Sequence, residues 1–286
     1  MNLGPAGAST GAAAGVAAGA AAEGVREPAL EVDHVSASYG PYRALFDLTF
    51  SVPAGGAAAL IGSNGAGKST VARVVTGLLP SSAGSIRLSG VDVTGKPAFK
   101  IARSGCAHVP EVRGVFARLT VEENLKLLFR QRLGRRGVPD ALNQAYEDFP
   151  ILDTRRKQHA GTLSGGEQRI LSLAKVLVCP PRLLVADEIS LGLAPVVIDA
   201  IYEGLRKINR AGAALLIVEQ QVNRVLDMVE TAVVLEHGAA AYAGPASGAL
   251  AAAERVLASR KDRASAGGAP GAAPAAPRAP DTEETE

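Results

Sequence analysis

The stretch Gly62-Ser63-Asn64-Gly65-Ala66-Gly67-Lys68-Ser69, continued by Thr70, fits the spacing G-x-x-x-x-G-K-[ST]. Glycines at these positions let successive backbone N–H groups turn inward around phosphate oxygens with no side chain in the way. Lys68 is then placed to reach the outer phosphates of a nucleotide, and the Ser69 hydroxyl to bind a magnesium ion. A second chemical stretch, Leu183-Leu184-Val185-Ala186-Asp187-Glu188, is an apolar strand ending in two carboxylates. Strand ends of an open parallel sheet face the ligand crevice. Asp187 is therefore expected to hold the magnesium ion, through water, and Glu188 to orient and polarise an attacking water.

The third stretch, Leu163-Ser164-Gly165-Gly166-Glu167-Gln168, reads as a helix start. Ser164 can cap, the two glycines keep the first turn bare, and Glu167 stands three residues on, as in a capping box. Ile170, Leu173, Ala174, Leu177 and Val178 then form an apolar stripe that ends at Pro180 and Pro181. A bare, capped N-terminus is a second anion site. One chain cannot set it against its own phosphate loop if both are outer walls, so the expected arrangement is two chains head to tail, each closing the other's nucleotide.

The elements that must position these groups follow from the flanking pattern. Ala57 to Ile61 is an apolar run that reads as a buried strand before the glycine loop, and Val71, Val74, Val75 and Leu78 recur at helical spacing after it, with Gly77 placed as the cap. Helix N-terminus and loop thus act together on an anion. Leu30 to Ser38 and Phe46 to Val52 read as antiparallel edge strands, and Ser85 to Leu88 and Gly105 to Val109 as further strands. Helices are expected from Val121, with Leu125, Leu128 and Phe129 on its face, and over Ala141 to Phe149. Two α/β pairs finish the core: helix Val196 to Asn209, with Val197, Ile201, Leu205 and Ile208 inward, strand Ala213 to Val218, helix Val222 to Val229 and strand Ala232 to Glu236. The predicted class is α/β, a P-loop NTPase core with an antiparallel β edge subdomain and a helical subdomain.

With these motifs in this order, residues Ala29 to Gly244 resemble the ATP-binding cassette (ABC) ATPases. The resemblance implies an ATP sandwich dimer that drives a membrane transporter, with ATP and Mg2+ as cofactors, and Tyr39, before Gly40, as the aromatic ring that stacks on adenine. The stretch from Val109 through Glu111 to Phe116, then Leu119 to Leu125, Asp187 to Pro195, and Val218-Glu219-Gln220-Gln221 are similar to the LivF-type branch, which serves branched-chain amino acid uptake. Ile189, Val112 and Gln221 depart from that branch, where proline, glycine and asparagine are usual.

In the branch pattern Glu111 replaces the glutamine most cassettes carry. When ionised it only accepts hydrogen bonds, so it could hold a metal-bound water but not donate to phosphate. Gln220 replaces the switch histidine and can donate to the γ-phosphate without titrating, so turnover is expected to lack a switch-histidine ionisation. The implied partners are transmembrane permease subunits, a second cassette subunit, the same or a sister chain, and an extracytoplasmic solute-binding protein. The implied place is cytoplasmic, on the inner face of the cell membrane. Urea and short amides travel through closely similar systems. Cassettes of translation carry two copies per chain, and those of DNA repair carry long coiled-coil or zinc insertions; neither feature is present.

Composition bounds the alternatives. The chain has 286 residues, 47% hydrophobic and 20% charged, with a formal net charge of +2, which offers no electrostatic case for nucleic acid as a partner. It has no tryptophan and 4% aromatics, against a base-stacking platform. Cys106 and Cys179 match no metal spacing and read as reduced packing residues, and His34, His108, His159 and His237 make no ligand set. His108 is expected to face solvent or the neighbouring strand. Arg132, Arg135, Arg136, Arg155, Arg156 and Lys157 form basic clusters read as solvated faces. Residues 1–28 read as a disordered Ala/Gly-rich tail, 29–244 as the ATPase domain with its helical part over about 112–163, 245–263 as a C-terminal helix, and 264–286 as a disordered acidic-ended tail. No run of roughly 18 strongly apolar residues occurs, so a membrane span is expected in another polypeptide.

Overall fold

The chain enters through two long strands, β1 (Leu30–Tyr39) and β2 (Tyr42–Val52), paired antiparallel from Leu30 opposite Val52 to Tyr39 opposite Tyr42. The computed structural model describes residues 27–111 and 114–266. The expectations for most of both tails, and for Val112, lie outside the described residues. After β2 the chain turns into β3 (Ala57–Gly62), the glycine loop and helix α1 (Lys68–Val75). Gly77, at φ +72°, closes α1: its N–H donates to Val74 O at 3.1 Å while Leu78 N–H donates to Arg73 O at 2.8 Å. That pair of bonds satisfies carbonyls the helix end would otherwise leave open. Leu78 therefore lies past the helix and is exposed, rather than on the buried stripe its spacing suggested.

Two strands missing from or shortened in the sequence reading complete the edge sheet. β4 (Ala83–Leu88) pairs with β1, and the two-residue β5 (Val91–Asp92) pairs with β4, giving the order β2-β1-β4-β5. A short helix α2 (Ala98–Arg103), also unforeseen, leads into β6 (Cys106–Val109).

The chain then leaves the sheet for a helical layer: α3 (Val121–Leu133), α4 (Val138–Asp148), α5 (Pro150–Thr154) and a 3-10 turn over Ala160–Thr162. Thr120 caps α3 reciprocally with Glu123, the arrangement that fixes a helix start. The two ends of this excursion are clasped to each other: Val121 N–H donates to Gln158 O at 3.0 Å, Ala160 N–H to Leu119 O at 2.8 Å and Gly161 N–H to Ala117 O at 2.9 Å.

Helix α6 (Gly165–Val178) returns the chain to β7 (Leu183–Asp187), followed by α7 (Pro195–Arg210), β8 (Ala214–Glu219), α8 (Val222–Leu226), β9 (Thr231–Glu236), β10 (Ala239–Pro245) and α9 (Ala246–Ala266). Helix α8 ends three residues short of Val229, and β10 carries no strand signal strong enough to have been foreseen. The main sheet has the order β10-β9-β3-β8-β7-β6, with β10 antiparallel and the rest parallel. Its central strands β3, β8 and β7 are buried on both faces. Ala57, Ala59 and Ile61 pack with the helical side, whereas Ala58 and Leu60 pack with α1 and the antiparallel sheet. Such double coverage explains why these strands read as continuous apolar runs. On α7 the inward stripe includes Ile198 and Tyr202 besides Ile201, Leu205 and Ile208, while Val197 is half-buried.

His108, on the edge strand β6, does not face solvent. It is half-buried, its Nε2 is enclosed with no hydrogen-bond partner, and burial together with the nearby Arg73 charge pushes its pKa from the ordinary 6.5 down to about 4. The folded protein thus refuses a proton that the unfolded chain accepts, so stability is lost as pH falls from 6.5 towards 4. His108→Leu should lose up to about 3 kcal/mol less over that interval, measured by urea unfolding at several pH values.

Candidate functional site

The phosphate loop is shaped by its own backbone and by the strands around it. Ala66 N–H donates to Ser63 O at 3.1 Å, and Gly238 N–H, from the β9–β10 turn, donates to Ala66 O at 2.9 Å. Gly67 stands at φ +105°, where an added Cβ would meet Leu45 Cδ2 at 3.0 Å and Ala44 O at 3.2 Å, so only glycine fits there. No side chain caps α1. Its first amides and their dipole are therefore directed at whatever anion the loop receives.

Lys68, the first residue of α1, is 3% exposed. Its Nζ donates to Ser63 O at 3.2 Å and pairs with Glu188 Oε1 at 2.9 Å. The neighbouring Ser69 Oγ donates to Asp187 Oδ1 at 3.2 Å. Burial, with the negative charges of Glu188 and Glu111, raises the Asp187 pKa to about 6 against the opposing hydrogen bond from Ser69. Glu188 has φ +47°, a left-handed conformation that costs a side-chain-bearing residue on the order of 1 kcal/mol or more. Glu219, at the end of β8, is buried as well. Its Oε1 accepts the Ser190 N–H at 3.1 Å, and burial raises its pKa.

Lys68, Ser69 and Glu188 border a cavity of about 600 Å³ lined by Arg43, Ala44, Phe46, Asn64, Gly65, Gly67, Lys68, Ser69, Thr70, Glu111, Glu188, Leu191, His237 and Gly238. Of the residues expected from sequence, Gly62, Ser63 and Ala66 form the frame of the loop, and Asp187 lies behind Ser69 rather than in the lining. Tyr39 does not line the cavity. It is 40% exposed and its hydroxyl accepts a hydrogen bond from Arg73 Nη1 at 3.1 Å. The aromatic ring in the lining is Phe46, with the Arg43 guanidinium 4.9 Å from its centroid. Gln220 is exposed and borders a separate apolar pocket with Gly62, Ser63 and Leu257.

His237, expected only as one of four scattered histidines, supplies the imidazole of the lining. Sequence reasoning missed Arg43, Phe46 and His237 because they come from the edge hairpin and the β9–β10 turn, which carry no motif. The sequence shows only a His-Gly pair at 237–238, a common turn composition, and the fold turns it with both residues at positive φ.

The residues fit a magnesium nucleotide. Among the described residues no group of His, Cys, Asp or Glu could hold a metal ion alone. A hydroxyl, a buried carboxylate of raised pKa and a glycine cradle suit an ion that completes its shell with phosphate oxygens and water.

At the start of α6 the capping box is complete: Glu167 N–H donates to Ser164 Oγ at 3.3 Å and Ser164 N–H to Glu167 Oε2 at 2.8 Å. Arg155 pairs with Glu167 at 3.5 Å, so part of that basic cluster serves this helix start. Gly166 is hemmed in by Val197, whereas nothing lies near Gly165. None of Ser164, Gly165, Gly166 and Glu167 lines the cavity.

The family model described as ABC transporter matches residues 45–190. The chain is 42% identical over 211 residues to the high-affinity branched-chain amino acid transport ATP-binding protein BraG of Pseudomonas aeruginosa, covering 73% of this chain and 89% of that one. It is 34% identical over 214 residues to the probable branched-chain amino acid transport ATP-binding protein LivF of Archaeoglobus fulgidus, covering 74% and 90%. A solved ATP-binding subunit of an ABC transporter superposes with TM-score 0.71 at 26% identity, covering 81% of this chain and 99% of that chain. The chain belongs to the ATP-binding cassette ATPases, the nucleotide-binding subunits that hydrolyse ATP to drive ABC transporters.

Proposed function

We propose that this chain powers an importer of branched-chain amino acids, with hydrolysis carried by Lys68, Glu188 and Gln220 and the metal held by Ser69, Asp187 and Glu111. The observation that carries the chemistry is the pair of contacts beside the phosphate loop, Lys68 to Glu188 at 2.9 Å and Ser69 to Asp187 at 3.2 Å. They put a cation, a hydroxyl and two carboxylates at one glycine-built anion site. The cargo is supported by the likeness to BraG and LivF, whose names give it.

Lys68 and Glu188 hold each other while both are buried. Outer phosphates entering the loop compete for Lys68, and the exchange releases Glu188 to accept a hydrogen bond from the attacking water and orient it. Ser69, Asp187 and Glu111 would hold a magnesium ion, which would supply neutralisation of the phosphate charge. Asn64, Gly65, Gly67 and Thr70 hold the phosphates by backbone and hydroxyl donors. The adenine lies against the edge hairpin, where Tyr39 is the expected ring and Phe46 is a second aromatic already in the lining. Gln220, which borders the adjoining pocket beside Gly62 and Ser63, is the amide donor to the γ-phosphate.

Ser164, Gly165, Gly166 and Glu167 serve the nucleotide of a second cassette, which agrees with their lying outside this chain's own cavity. The second cassette is a sister chain or another copy. The permease docks on the helical layer, the solute-binding protein acts on the far side, and the chain lies on the inner face of the cell membrane. Among the described residues no helix is long and apolar enough to cross a membrane, which agrees with a permease built from other polypeptides.

Glu188→Gln should retain ATP binding, since Lys68 loses its competing partner, while turnover falls about 100- to 10,000-fold. Fluorescent-nucleotide titration alongside phosphate release checks both halves, and full turnover would remove Glu188 from its role.

Asp187 supplies a separate signature in pH. Its folded-state pKa of about 6 lies above the ordinary 3.8, so the folded protein binds the proton more tightly. Ionisation between those values therefore costs stability as pH rises. In chelator, Asp187→Asn should abolish that decline and be about 1–3 kcal/mol more stable than the parent at neutral pH, while losing magnesium-dependent turnover. Thermal melts from pH 4 to 8 measure it.

A further inference from the structure

Helix α6 carries a cation that neither the motifs nor the cavity lining accounts for. Arg169 lies one turn beyond the Ser164–Glu167 capping box and is half-buried. Its Nη1 donates to Leu191 O at 2.6 Å and to Ile189 O at 3.1 Å, and its Nη2 donates to Glu111 O at 3.4 Å. One planar guanidinium thus ties together two backbone stretches at the catalytic cleft: the turn that follows Glu188, and Glu111 just past β6.

The turn it grips is the strained one. Glu188 is at φ +47°, and a non-glycine residue stays in that region only where its surroundings over-determine it. The turn's own bonds are long, Leu191 N–H to Glu188 O at 3.3 Å and Leu193 N–H to Ser190 O at 3.4 Å. The stronger restraints come from outside. Glu219 accepts the Ser190 N–H at 3.1 Å from the sheet side, and Arg169 takes the two carbonyls from the α6 side. Further along the same helix Lys175 Nζ donates to Gly114 O at 3.2 Å and Asn124 Oδ1 at 3.3 Å, so the seam between α6 and the segment after Glu111 is held at more than one point.

We propose that Arg169 is a positioning residue for hydrolysis: it keeps Glu188 in its left-handed conformation and ties that turn to α6, so the carboxylate is set correctly only while α6 is seated. Because α6 begins with the motif offered to the second cassette, engagement there is passed through Arg169 to the chain's own Glu188. This rests on Glu188 being the hydrolytic carboxylate.

The test compares the parent, Arg169→Met, Arg169→Lys, Glu188→Gln and the Arg169→Met/Glu188→Gln double variant. Hydrolysis is followed in native membranes carrying the whole transporter, and hydrogen exchange on the purified full-length chain. Arg169→Met should lower kcat about 10- to 100-fold, the cost of a misplaced catalytic group, with KM for ATP moved less than about threefold. Amides of residues 188–193 should exchange at least about tenfold faster while β7 stays protected. Arg169→Lys, a single point donor that cannot chelate two carbonyls and reach Glu111 as well, should fall between. In the Glu188→Gln background the Arg169→Met change should cost nothing further, since the arginine acts through that carboxylate.

Parental kcat in Arg169→Met would overturn the proposal, as would unchanged exchange over 188–193 or an equal fold-loss in the Glu188→Gln background. Should Arg169→Met not fold, parental kcat and exchange in Arg169→Lys would overturn it equally. Full activity in Glu188→Gln would instead overturn the underlying assignment of the carboxylate.

Discussion

Lys68 and Glu188 are two opposite charges withdrawn from water, 3% and 8% exposed and 2.9 Å apart. Neither could be buried alone: removing one partner of such a pair strands the other at a cost of about 3–5 kcal/mol. The pair spans a whole strand, because Lys68 follows β3 and Glu188 follows β7 while β8 lies between them. The contact therefore demands that the three strands run the same way and end level. The register delivers this, with Ile61 opposite Glu219 and Asp187 opposite Val218. Packing on both faces of the sheet fixes that register, since a one-residue slip would turn every side chain to the wrong layer.

The same edge concentrates negative charge. Asp187, Glu188 and Glu219 are buried, with Glu111 at the rim. The repulsion among them is visible in the raised pKa values of Asp187 and Glu219, to which the Glu188 charge contributes after burial itself. This is an unfavourable arrangement for a resting fold and a favourable one for a site that receives a cation with its anion. The core of the same fold holds fully buried side chains such as Leu60, Leu184 and Leu171, and apolar burial of this kind offsets the electrostatic load.

Much of this was legible in the sequence where local physics decides the structure. The glycine loop must be glycine, the buried parallel strands must be apolar throughout, and Ser164 with Glu167 spells its own capping box. Legibility failed where contacts between distant segments decide. Val91 and Asp92 become a strand only because β4 offers an edge, and Ala239 to Pro245 only because β9 does. Phe46 and His237 reach the cavity through the placement of a hairpin and a turn that no short motif encodes. Arg169 belongs to the same group: within its helix it reads as one more polar position, and only the folded chain reveals which carbonyls it meets. Leu78 shows the converse error, where periodicity ran on past a glycine that had already ended the helix.

The clasp between Ala117–Val121 and Gln158–Gly161 brings the entry and exit of the helical layer together, while Phe149 and Asp148 seat its inner face on α7. An insertion in an exposed turn such as the one between α3 and α4 is absorbed above that clasp, whereas a change at Phe149 or Asp148 is felt by α7 and through it by the sheet it covers.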